Sequence, residues 1–93
     1  MKQRRRTAVE YYVGLDVSLE QTAVCVLGED GGVVLERSVA SHPDDIGACL
    51  ADMAGTIKRV GLEAGPLAPW LYSGLVERGL PVFCIEVRQM KAF

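Results

Sequence analysis

Asp16 and Glu63 are the two residues of this 93-residue chain whose type and position could do chemistry. Each closes an apolar run: Tyr11-Tyr12-Val13-Gly14-Leu15-Asp16 in one case, Val60-Gly61-Leu62-Glu63 in the other. An acid that ends a buried strand stands at the rim of a sheet, and two such acids on neighbouring strands can share a divalent metal ion. Mg²⁺ takes few carboxylates and fills its shell with water and phosphate oxygens, so acids from separate elements must converge on one spot. Pairs of such ions about 3.5–4 Å apart activate an attacking oxygen and stabilise a leaving one. A solvated strand-end acid is the plainer alternative. Gly14 and Gly61, each two residues before an acid, favour the metal, because they leave the same strand face bare for a ligand or another backbone.

The elements that would position these acids can be read from periodicity and turn chemistry. Tyr11 to Val17 and Gln21 to Leu27 read as strands joined by Val17-Ser18-Leu19-Glu20. The second strand is apolar at both alternating sets of positions, which predicts a central strand covered on both faces. Glu29-Asp30-Gly31-Gly32 has hairpin character, and Val33 to Val39 follows as a third strand, completing an antiparallel meander. Ser41 is a candidate N-cap for a helix whose first turn holds Pro43, Asp44 and Asp45. Ile46, Leu50, Met53 and Ile57 form its apolar stripe. Arg59 to Glu63 reads as a fourth strand, broken by Ala64-Gly65-Pro66. A second helix begins at Pro69, buries Trp70, Leu71, Gly74 and Leu75, and ends at Arg78-Gly79; Pro81 to Glu86 is the fifth strand. This order would bring strands one and four side by side in a mixed sheet, with Asp16 near Glu63.

Composition bounds the class. Hydrophobic residues make up 49% and charged residues 24% of the chain, a globular balance. The length allows one domain with a modest core. No apolar run approaches the roughly 20 residues of a bilayer span. The basic N-terminus meets Glu10 rather than an apolar signal region, so no membrane role and a cytoplasmic location are the expectation. The net charge of −2 divides unevenly: Lys2, Arg4, Arg5 and Arg6 supply four of the ten basic residues, leaving six against twelve acids from Thr7 onward. Residues 1–8 are therefore expected to be a flexible basic arm able to track phosphates, and residues 9–93 the folded part. A solvated tail is the alternative. Cys25, Cys49 and Cys84 form no CxxC pair and are expected to be reduced core residues.

Three separated motifs carry a resemblance. They are Val13-Gly14-Leu15-Asp16-Val17-Ser18; Val60-Gly61-Leu62-Glu63-Ala64-Gly65-Pro66-Leu67 with Trp70-Leu71; and Gly79-Leu80-Pro81-Val82 with Ile85-Glu86-Val87-Arg88 and Lys91-Ala92. In this order they resemble the N-terminal RuvC-like domain of the DEDD insertion-sequence transposases related to the Piv DNA invertases. The resemblance implies a ribonuclease H-like mixed five-stranded sheet, a three-stranded antiparallel meander followed by strand–helix crossovers, here without the C-terminal catalytic helix. It implies DNA transposition as the family activity, through metal-dependent cleavage and strand transfer. Asp16 and Glu63 would be the first two acids of a tetrad binding Mg²⁺ or Mn²⁺. The other two acids belong to a Lys-Thr-Asp-x-x-Asp-Ala type segment that would follow shortly after Lys91, so the chain is expected to be truncated and inactive by itself. Implied partners are DNA at the element ends and target, a guide RNA, and a second copy in a homo-oligomer.

Arg88 and Lys91 are spaced to face phosphates or to form the exposed side of a helix, and they join Lys2, Arg4, Arg5 and Arg6 as candidate nucleic-acid contacts. Glu86 reads as a solvated strand-end acid or a further rim acid. His42, the single histidine, sits in a helix-start motif rather than a ligand pattern, and Ser18 is placed to bond the turn. Two other functions fit less of the pattern. A non-catalytic remnant could bind DNA or full-length transposase. An actin-like or sugar-kinase ATPase lobe also opens with an apolar strand and an aspartate, but its phosphate turn needs glycines, and Asp16-Val17-Ser18-Leu19-Glu20 has none.

Overall fold

The computed structural model describes residues 10–85. Residues 1–9 and 86–93 are outside it, so the arm residues Lys2, Arg4, Arg5 and Arg6, the candidate contacts Arg88 and Lys91, and the strand-end acid Glu86 lie outside the described residues.

Two seven-residue strands open the fold, β1 (Tyr11–Val17) and β2 (Gln21–Leu27), and β3 (Val33–Ala40) completes an antiparallel meander. The β1–β2 turn is tied by Ser18, whose amide and hydroxyl both donate to the Gln21 carbonyl. At the β2–β3 turn Gly31 adopts φ +86°, a conformation that favours glycine, while the Gly32 amide donates to the Asp30 carboxylate.

The chain then crosses over through α1 (Pro43–Leu50) to β4 (Ile57–Glu63), and through α2 (Ala68–Glu77) to β5 (Val82–Ile85). Both β4 and β5 add in parallel, so the sheet order is β3-β2-β1-β4-β5. This α/β arrangement, a meander extended on its other side by two helix-linked parallel strands, is consistent with the ribonuclease H-like architecture.

One face of the sheet holds the core. Val13 and Leu15 of β1, Val24 and Val26 of β2, and Val60 and Leu62 of β4 pack against Ile46 and Leu50 of α1 and Leu71 and Leu75 of α2. The helices also meet each other closely. A Cβ at Gly74 would lie 2.5 Å from Pro43 Cβ and Cγ, so α2 can approach α1 only with glycine there. Arg78, at the end of α2, reaches across to the Pro43 carbonyl and the Asp44 carboxylate. Beneath the start of α1, the buried Thr22 and Ser41 hydroxyls are 2.8 Å apart, and Ser41 donates to the Ser18 carbonyl. That chain of hydroxyls fixes the first crossover to the β1–β2 turn.

Several sequence expectations need correction. His42, not Ser41, caps α1: its Nδ1 accepts from the Asp44 amide, and Ser41 is drawn into the hydroxyl chain instead. The helical stripe does not run to Ile57. After Leu50 the backbone tightens into a 3₁₀ segment, Ala51–Thr56, with a kink at Met53, and Ile57 begins β4. Trp70 is not part of the buried face of α2, which is formed by Ala68, Leu71 and Leu75; Trp70 packs edge-on to His42, ring centroids 5.0 Å apart. The cysteines are free but not fully buried: Cys25 and Cys49 are half-buried and Cys84 is exposed. Nor is β2 covered on both faces among the described residues. Thr22, Val24 and Val26 are buried, whereas Ala23 is exposed and Cys25 and Leu27 only half-buried.

Candidate functional site on the open sheet face

The sheet face that no described residue covers is the one to which both acids belong. Strand alternation puts Tyr12, Gly14 and Asp16 on that face of β1, and Arg59, Gly61 and Glu63 on that face of β4. The two strands run parallel with Tyr12 opposite Arg59, Gly14 opposite Gly61 and Leu15 opposite Leu62, so Asp16 and Glu63 each follow the last paired residue of their strand. Neighbouring strands lie about 4.8 Å apart, so the two acids end adjacent strands at one rim of the sheet. Both are exposed.

Topology explains why the rim opens at this point. From the C-terminal end of β1 the chain moves outward to β2 and β3; from the C-terminal end of β4 it moves the opposite way to β5. Ligand sites of open α/β sheets form where the strand order reverses in this manner, beyond the carboxyl ends of the strands. Glu63 is held there by the ladder on its other side, where it lies opposite Ile85 and the following Ala64 amide donates to the Ile85 carbonyl. Asp16 is held opposite Ala23 of β2.

Of the two matched glycines, Gly14 leaves its strand face bare and Gly61 does not. A Cβ at Gly14 would meet nothing within 4 Å, so the strip of backbone beneath the acids is bare on the β1 side. At Gly61 a Cβ would come 3.2 Å from Ile85 Cδ1 and 3.5 Å from the Phe83 ring, so that side is bordered by β5. Together these residues floor a shallow trough of about 640 Å³ running from Tyr12 and Arg59 to the two acids.

The donor set fits a hard divalent cation held by two carboxylates, with the rest of its shell left to water and phosphate oxygens. It does not amount to a closed protein cage: among the described residues no three His, Cys, Asp or Glu side chains gather closely enough to ligate a metal. Glu36 lines the same face but lies two strands away, opposite Cys25, which in turn lies opposite Gly14. His42 is on the helix side, and Ser18 is occupied with its turn.

Three residues on the acid face escaped the sequence reading. Tyr12 is 36% and Phe83 40% exposed, and the Arg59 guanidinium sits 5.8 Å from the centroid of the Phe83 ring. The alternation Arg59-Val60-Gly61-Leu62-Glu63 was a usable signal, because it sets Arg59 on the face of Glu63. Among the described residues no helix is long and apolar enough to cross a membrane. Comparison with models of protein families gives no match to this chain, and comparison with curated proteins gives none either.

Proposed function

We propose that the chain is the N-terminal part of a metal-dependent DNA transposase, a RuvC-like domain in which Asp16 and Glu63 hold a divalent cation. The observation that supports this most is the parallel β1–β4 pairing, which ends both strands near an acid at the topological switch. Bound Mg²⁺ or Mn²⁺ would supply Lewis-acid stabilisation to a phosphodiester under attack. The chain's own residues have separate tasks. Asp16 and Glu63 would provide two ligand positions, and Gly14 would keep the approach on the β1 side clear. The basic residues Lys2, Arg4, Arg5, Arg6, Arg88 and Lys91 would contact DNA phosphates.

The family tetrad needs two more acids. The test begins with the coding DNA beyond the codon for Phe93, read in all three frames, where the proposal expects them in a Lys-Thr-Asp-x-x-Asp context. Asp16→Ala and Glu63→Ala, each placed in that extended gene, should then abolish excision of a marked element. Transposition that survives either substitution contradicts the proposal. A second reading, a non-catalytic fragment that binds DNA or full-length transposase, is favoured by the single pair of converging acids. It predicts DNA binding unaffected by divalent ions and by Asp16→Ala.

A further inference from the structure

The face that carries the acids is ordered about its middle row. Cys25 of β2 lies opposite Gly14 of β1, and Gly14 lies opposite Gly61 of β4, whose other neighbour is Phe83 of β5. Two residues along each strand on one side of that row stand Leu27, Tyr12 and Arg59; two residues along on the other side stand Ala23, Asp16 and Glu63. Each of these three strands thus sets a bulky or cationic side chain at one end against a small or acidic one at the other, equally far from the middle. Gly14 leaves the centre bare. The Arg59 guanidinium, 5.8 Å from the centroid of the Phe83 ring, lies within the face rather than beyond its rim.

We infer that this face is a homodimer interface, occupied by a second copy of the chain. When two copies meet face to face about a two-fold axis along the middle row, every strand lies antiparallel over its own copy. Arg59 then faces Glu63 of the second copy, Tyr12 faces its Asp16 and Leu27 its Ala23, and each contact occurs twice, as in any isologous interface. A two-fold axis along the strands would instead set acid rim over acid rim, so charge selects the first arrangement. Phe83 meets its own copy on the axis as an aromatic pair. Glu36, opposite Cys25, also meets its own copy, but on the edge strand, where the about 30° crossing of two packed sheets carries the rims apart. Strands about 4.8 Å apart and about seven residues long give the five-stranded sheet a face of roughly 24 by 23 Å. That is toward the small end of specific interfaces, and a dissociation constant of roughly 10–100 μM follows. The inference does not rest on the proposed function; in the dimer the acids face Arg59 and Tyr12 of the second copy, so a cation bound to them opposes dimerisation.

The test is sedimentation velocity of the full 93-residue chain over a range from well below to well above that dissociation constant. The wild type should pass from monomer to dimer and no further. Arg59→Glu and Glu63→Arg each place like charges against one another in both contacts, and each variant alone should dissociate about tenfold or more readily. Mixed in equal amounts, the two variants should recover the dimer, because Arg59 of one faces Glu63 of the other while the two introduced side chains face each other. One chain carrying both exchanges should likewise dimerise. Gly14→Lys, whose added side chain starts into open space in the monomer, sets two ammonium groups together on the axis. It should stay monomeric with an unchanged circular dichroism spectrum.

A wild type that stays monomeric over the whole range would overturn the inference, and that is also the result if residues 1–9 or 86–93 occupy the face in place of a second copy. Dimerisation undiminished in Arg59→Glu, Glu63→Arg and Gly14→Lys would overturn it in favour of another surface, such as the edge strand β3. Single variants that dissociate and do not recover on mixing would also overturn it, since the two charges would then not meet between copies. Where a single variant loses its native circular dichroism spectrum, the doubly exchanged chain and Gly14→Lys decide.

Discussion

Asp16 and Glu63 end neighbouring strands and are held by backbone ladders on their outer sides, Asp16 opposite Ala23 and Glu63 opposite Ile85. Like charges on neighbouring strands cost roughly 0.2–1 kcal/mol. In the absence of metal, Asp16→Asn should therefore stabilise the fold by a few tenths of a kcal/mol to about 1 kcal/mol. With Mn²⁺ at ten times its dissociation constant the wild type should gain about 1.4 kcal/mol, and the variant almost nothing. Urea melts of both proteins with and without Mn²⁺ measure the two effects; a variant less stable than wild type without metal would count against a repelling pair. The hydroxyl chain gives a contrasting case. Thr22→Val removes the buried partner of Ser41 and should cost about 1 kcal/mol, read by the same melts. The acids were legible because each ends an apolar run. Tyr12, Arg59 and Phe83 were not, because their significance depends on which face of the sheet is left uncovered, and a strand apolar on both faces such as β2 suggested that neither was.

At the scale of elements, turn chemistry was the reliable guide and helix periodicity the weaker one. Gly31 and Gly79 take positive φ at the β2–β3 turn and after α2, where the sequence set its breaks. The stripe Ile46, Leu50, Met53 and Ile57 has helical spacing, yet the kink at Met53 hands Ile57 to β4, whose pairing with β1 begins at that residue. Sheet pairing outweighs a helical period in so short a segment. Trp70 was misassigned for a related reason: α2 buries small and aliphatic residues against the sheet, and its contact with α1 depends on Gly74 rather than on a large ring. Gly74→Ala should therefore destabilise by about 1–3 kcal/mol through overpacking against Pro43. Gly47→Ala, whose Cβ would meet only the flexible Arg78 side chain, should cost clearly less. Thermal melts of the two variants decide the matter; equal losses would mean that the Gly74–Pro43 approach does not limit helix packing.

For the whole molecule, strand number, strand order and the crossover connections were legible, since they follow from a meander and two strand–helix units. The uncovered face was not, because no local pattern states which layer packs where. Among the described residues the core lies on one side of the sheet, and Ile46, Leu50, Leu71 and Leu75 are fully buried in it. Leu50→Ala should cost about 2–5 kcal/mol, a large share of the about 5–15 kcal/mol available to a domain. Far-ultraviolet circular dichroism should show the variant partly unfolded at physiological temperature, and a native spectrum with an unchanged melting point would contradict a one-sided core.

The central claim is that Asp16 and Glu63 form a divalent-cation site, and the most direct measurement is a two-dimensional ¹⁵N–¹H NMR titration with substoichiometric Mn²⁺. Paramagnetic broadening should strike first at the amides of Asp16, Val17, Glu63 and Ala64 and should vanish in Asp16→Asn and Glu63→Gln. The β2–β3 turn at Glu29 and Asp30 and the α1 start at Asp44 and Asp45 should stay sharp. Broadening centred on either of those acidic pairs, or unchanged in the two variants, would contradict the account.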